Sequence, residues 1–219
     1  DYRLLVPLIA IVVTLLLAPK GLLGVNWRGV TKGVWGKVLG FMRFSTKTFN
    51  GLKDEGWRSS VGHCSKLLVV FAMLQTLLFM AIPKYYTMIS SFITSFIPID
   101  LYTRWSPLLG LFYIFIGVSI AILGGSLLTH IWVYILGGKK GLGQTIKSIA
   151  YGSSPFLLLG WIPFLGIIFA IWSMAVSIKG IKQLHEVSAE RAVVAFTLGA
   201  ISTFFGFCGL LRIFVLIYT

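Results

Sequence analysis

Five long apolar runs divide the chain, separated by short polar stretches rich in lysine, arginine and glycine. A membrane-crossing helix needs about 20 predominantly apolar residues. Leu4–Ala18 is a short first candidate, bounded by Arg3 and closed by Pro19 and Lys20. No small-residue cleavage site follows it clearly, so it reads as a helix rather than a removed leader. Leu67–Ile82 follows Lys66 and stops at Pro83. Leu108–Leu136 carries no charge over a length of about 43 Å at about 1.5 Å per residue, so it must tilt or run into the headgroups. Ala150–Ile178 is interrupted by Pro155, Gly160 and Pro163, and its "LGWIPFLG" core predicts a tight turn between two short helices. Ala192–Ile217 is the last span, with Arg212 near its end.

Composition agrees with this pattern. Of 219 residues, 57% are hydrophobic and 11% are charged, whereas soluble domains carry roughly 25% charged residues. The formal charge of +13 would suggest a nucleic-acid partner in a soluble chain. Here the basic residues lie between the apolar runs and set loop orientation, so no nucleic acid is expected. In a six-span reading with both termini outside, fifteen of the nineteen lysines and arginines fall on one side. These lie in Lys20–Lys66, Gly137–Ile149 and Lys179–Arg191, and the positive-inside rule makes that side cytoplasmic. Cys64 and Cys208 are too few for a disulfide framework.

Two further segments do not span. Val34, Val38, Phe41, Phe49 and Leu52 recur at helical spacing among Lys37, Arg43, Lys47 and Lys53. That pattern fits a basic amphipathic helix lying on an anionic leaflet, with Arg43 and Lys47 at the headgroups, or a helix packed under the bundle. The segment from Lys84 to Trp105 is aromatic, with Tyr85, Tyr86, Tyr102 and Trp105 suited to the headgroup level.

The candidate chemistry is sparse. "GGKKGLGQT" has Gly138 and Gly143 at P-loop spacing, but Gln144, followed by Thr145, stands where the lysine before the hydroxyl residue belongs. Its lysines Lys139 and Lys140, with Lys147, are instead candidates for lipid-headgroup contact. "HEVSAE" from His185 starts like a zinc-protease motif, but its fifth position is Ala189 and no metal site follows. Ser188 suits an N-cap and Glu190 the first turn of the last helix. The spans hold no aspartate or glutamate, and His130 is the one titratable residue well inside a span. It reads as a hydrogen-bonding partner for a neighbouring helix or the interface, rather than as a proton or substrate site. No catalytic residues, metal or cofactor are expected. Gly117, Ala121, Gly125 and Thr129 recur every four residues, a small-residue stripe for close helix packing within the chain or with a second copy. Gly137 and Gly138, with Pro155 and Pro163, are the expected hinge positions.

The order of "GGKKGLGQT", "IAYGSSP", "IPFLG" and "IKGIKQLHEVSAERA" resembles the membrane domain of the Ypt-interacting-protein (Yip) family, in its bacterial and archaeal form. The matching positions are Gly137, Gly138, Lys139 and Gly141; Tyr151 and Pro155; Pro163; and His185, Ser188, Arg191 and Ala192. Ile181 stands where the family pattern has leucine. The resemblance covers residues 37 to 219 and implies an all-α, polytopic transmembrane bundle of five spans with an amphipathic lead-in. Residues 1–36 would add one further N-terminal span and a basic linker. Eukaryotic relatives are tied to vesicle traffic and Rab-type GTPases. The function expected is a non-enzymatic scaffold or adaptor in a prokaryotic cytoplasmic membrane. Its expected partners are membrane lipids and a membrane protein or a second copy. The competing expectations are a transporter or channel, favoured by the interrupted segment at Gly160–Pro163, and an accessory subunit of a larger membrane complex.

Overall fold

A computed structural model describes residues 33–43, 45–82 and 107–218 of the chain, and the regular structure among them is entirely helical. The chain divides into compact units of residues 1–37 and 38–219. The expected span at Leu4–Ala18 and the aromatic segment Lys84–Trp105 lie outside the described residues.

The described helices are α1 (Val34–Arg43), α2 (Ser45–Gly51), α3 (Trp57–Ala81), α4 (Pro107–Ile135), α5 (Leu142–Gly152), α6 (Ser154–Leu159), α7 (Leu165–His185) and α8 (Ala189–Tyr218). Four stretches among the described residues are long and apolar enough to cross a membrane: Trp57–Ala81, Ile114–Ile135, Leu165–His185 and Ala189–Gly209. Such lengths need no charged face, because lipid tails solvate the apolar side chains while the helix satisfies its own backbone. The chain is therefore a multi-pass helical membrane protein.

The segment expected to form two short helices departs from that expectation. The turn near Gly160 is there, but α7 runs on for 21 residues after it. No charged residue interrupts the run from Leu165 to Ile178, and no proline removes a backbone donor before His185. The leg before the turn is the broken one: α5 ends at Gly152 and α6 restarts with Pro155 in its first turn. Proline there costs nothing in hydrogen bonds, since the first N–H groups of a helix have no internal acceptor. Ser153 does not cap α6 with its side chain; its hydroxyl turns back to the Ile149 carbonyl at 2.8 Å. The orphan amide of Phe156 is met instead by Ser173 Oγ of α7, at 2.9 Å.

The broken leg is the centre of the bundle. α5 packs on α3, α4 and α7; α6 lies against α3 and α7; α8 lies against α4 and α7. From Lys147 to Gly152 each residue of α5 is buried, and Thr145 has no exposure. A second cluster joins Val133 of α4, Ile181 of α7 and Ala192 and Ala195 of α8.

Phe41 near the end of α1 and Phe49 of α2 turn into the bundle. Phe41, Phe49, Tyr151, Val176 and Leu184 form one buried cluster, with the Phe41 ring 5.1 Å from Tyr151 and 4.8 Å from Phe49. Glycine at 180 makes room for this: a methyl group there would lie 2.6 Å from Phe49 Cζ.

The small-residue stripe of α4 is used over half its length. Thr129 is buried and faces Gly199 of α8, where a methyl group would sit 2.2 Å from Thr129 Oγ1. Gly125 faces Thr203. Gly117 has no described atom within 4 Å of its missing side chain, and Ala121 is exposed. Among the described residues the stripe is thus a seam with α8 at one end and meets no partner at the other.

Candidate functional site

Hydrogen bonding inside the bundle runs along α5. Thr145 Oγ1 lies 2.9 Å from His130 Nδ1 on α4 and 2.9 Å from His185 Nε2 on α7. One hydroxyl has one proton, so it donates to one ring and accepts from the other. Three helices are joined through that oxygen. Beyond the break after α5, His63 Nε2 of α3 lies 3.1 Å from Ser154 Oγ of α6. Although this is a serine–histidine pair, Ser154 has no exposure and His63 is 4% exposed. A hydroxyl so enclosed reaches no substrate, and the contact serves as a cross-helix tie. His130 as an interhelical hydrogen-bonding residue matches what the sequence suggested; the participation of Thr145, His185 and His63 had no motif to announce it.

Lys147 corrects an expectation. It does not face lipid headgroups; it is 2% exposed. Its ammonium donates to the backbone carbonyls of Lys53 and Glu55, each at 2.7 Å, and of Leu52 at 3.3 Å. Those carbonyls follow the end of α2, where the helix leaves acceptors without partners, and a buried ammonium has to be satisfied somewhere. Tyr151, four residues on and on the same face of α5, donates to Glu55 Oε2 at 2.5 Å, while Ser59 donates to the other Glu55 oxygen at 2.7 Å. The α2–α3 connection is pinned to α5 from both sides.

At the end of the bundle carrying these connections the basic segments converge. Glu186, just beyond α7, sits in the left-handed region at φ 57°. Lys53 reaches its Oε1 at 2.5 Å and Lys140 its Oε2 at 3.0 Å. All three side chains are about half exposed. The Lys53 hydrogen bond, then that of Lys140, holds the Glu186 carboxyl down at about 2. Gly137 and Gly141 take positive φ, 96° and 82°, as the chain turns from α4 into α5. The Arg191 guanidinium lies over Gly137, and Lys139 is exposed beside it. Gly138 lies so close to Val133 and His185 that a methyl group would meet Val133 Cγ1 at 2.4 Å. Ser188 caps α8 through a long bond from the Arg191 amide, 3.4 Å. Pro155 is buried in α6, and Pro163 lies in the turn before α7. No group of three or more histidine, cysteine or acidic side chains is placed to hold a metal among the described residues.

Apolar helices of spanning length, a polar central leg and a basic end define an integral membrane protein of the multi-pass helical class. The family model of the Yip1 domain matches residues 39–211, most of the chain, and the protein belongs to that family. No curated protein and no solved structure matches it.

Proposed function

We propose that the chain is a non-enzymatic membrane scaffold or adaptor whose basic end faces the cytoplasm and gathers anionic lipid and a membrane-protein partner. The carrying observation is the meeting of Lys53, Lys140 and Glu186 at one end of the bundle, with Arg191 over the nearby Gly137, while His63, His130 and His185 tie helices together inside it. Lys139 and Lys140 would meet headgroups there. Each lysine near an anionic surface contributes about 1 kcal/mol, weakening with salt. Purification from native membranes in mild detergent, with identification of retained lipids and proteins, tests the reading. A reproducibly lipid-free, partner-free monomer would sink it. Its orientation is read by single cysteines at Lys140 and Lys182 in a Cys64→Ser, Cys208→Ser background: an impermeant reagent should reach both from the cytoplasmic side, and labelling from opposite sides contradicts the topology.

A second reading, transport, draws on the broken central leg, since interrupted helices line sites in many transporters. Flux through reconstituted liposomes decides it. A solute-specific flux abolished by His130→Ala would replace the scaffold reading.

A further inference from the structure

We infer that Lys53 and Lys140 form a binding site for the phosphate of an anionic lipid headgroup, and that Glu186 occupies this site as an internal stand-in until such a lipid displaces it. The inference rests on the scaffold reading and names its ligand and its regulation.

The geometry carries it. Two lysines from different connections, one after α2 and one between α4 and α5, each take a separate oxygen of one carboxylate. That is the pattern by which two ammonium groups hold two oxygens of a phosphate. Glu186 reaches them from a left-handed backbone conformation that a non-glycine residue rarely adopts. The pair is about half exposed on all three side chains, so water already reaches it and a headgroup can follow. Exposed ion pairs hold weakly, which makes the carboxylate a replaceable occupant. The two ammonium groups carry two positive charges, of which a single carboxylate compensates one. A doubly charged phosphomonoester therefore suits the site better than a singly charged phosphodiester. Lipid is favoured over an acidic protein because the neighbouring helix α3 opens with exposed Trp57 and Arg58, the guanidinium 5.8 Å from the ring centre. Exposed Val69, Val70, Met73, Leu77 and Met80 follow on that helix. Such an aromatic–basic start followed by an apolar face is what a headgroup boundary selects.

The test uses the full chain in nanodiscs of phosphatidylcholine doped with phosphatidic acid or phosphatidylglycerol, with retained lipid quantified after transfer to mild detergent. The wild type should retain phosphatidic acid in preference to phosphatidylglycerol. Glu186→Gln should raise phosphatidic acid retention about three- to tenfold, because removing an internal competitor raises the available fraction of the site. Lys53→Gln with Lys140→Gln should abolish the preference. Retention unchanged or lowered in Glu186→Gln, with wild-type lipid binding intact, overturns the stand-in and leaves the scaffold reading untouched. If neither anionic lipid is retained by any form, both fall. Equal competition by millimolar inorganic phosphate, or by an acidic peptide, would assign the site to a soluble ligand and overturn the lipid. Should Glu186→Gln fold poorly, the carboxyl ¹³C resonance of Glu186 in the wild type must shift when phosphatidic acid is added; a fixed resonance contradicts displacement.

Discussion

Helices α4 and α5 are neighbours with opposite characters. α4 is an uncharged run of 29 residues whose Phe112, Ile116, Ile120, Leu123, Leu127 and Ile131 are exposed. α5 carries glutamine, threonine, lysine, serine and tyrosine within 11 residues, and most of it is buried. A soluble domain would arrange these the other way, with the apolar helix inside and the polar one at the surface. With lipid as the surroundings, apolar side chains gain nothing by hiding, while hydroxyl, imidazole and ammonium groups must find partners inside the protein. The difference between the two helices is a statement about solvent.

The largest break in that comparison is expected where the two faces of α4 meet their limits. Gly199→Leu drives a side chain into Thr129, where even a methyl group would lie 2.6 Å from its Cα. Overpacking should cost about 3 kcal/mol, read as a lowered midpoint of unfolding in mixed micelles. Unchanged stability would mean that α4 and α8 are not so closely apposed. Lys147→Met comes next. It leaves the carbonyls of Leu52, Lys53 and Glu55 without their charged donor, a loss of roughly 1.5–3 kcal/mol. It should also free the α2–α3 connection to exchange amide hydrogens faster. Thr145→Val keeps the shape but removes the hydroxyl between His130 and His185, and should cost about 1 kcal/mol. Ala121→Leu, on the open half of the stripe, should stay within about 0.5 kcal/mol of wild type. A large loss there would reveal a covering helix.

The smallest effect concerns acid. The Glu186 carboxyl is held at about 2 against an ordinary value of 4.5. A depressed carboxyl binds fewer protons folded than unfolded, so its contribution is present above 4.5 and fades as the pH falls toward 2. Because the pair is exposed, the change should be slight and should vanish in Glu186→Gln. A variant that keeps the wild-type acid profile assigns the transition to another group.

The division between the two helices was only partly legible in the sequence. Long uncharged runs announce spanning helices because the bilayer selects on length and polarity alone, and α3, α4 and α8 follow from that, whereas the full length of α7 does not. Hydroxyls and a lysine between glycines read equally well as a loop, and only packing on three sides shows "QTIKSIAYG" as the central helix. From sequence alone Lys147 reads as a headgroup lysine because an ammonium ordinarily seeks water; three carbonyls converging from a connection more than 90 residues earlier in the chain leave no local trace. The same holds for Glu55 and Tyr151. The stripe on α4 was visible as spacing, but spacing does not say where a partner helix ends.

The most direct test of the central claim, that the polar leg is enclosed while its apolar neighbour faces acyl chains, needs no substitution. The protein is reconstituted with a phospholipid bearing a diazirine on its acyl chain, irradiated, and mapped by peptide mass spectrometry. Adducts should fall on the exposed faces of α4, around Leu123, Leu127 and Ile131, and of α7, around Ile167, Ile168 and Ile171. The α5 peptide from Leu142 to Gly152 should carry essentially none. Labelling of α5 at the level of α4 would contradict the enclosed polar leg, and with it the bundle as described.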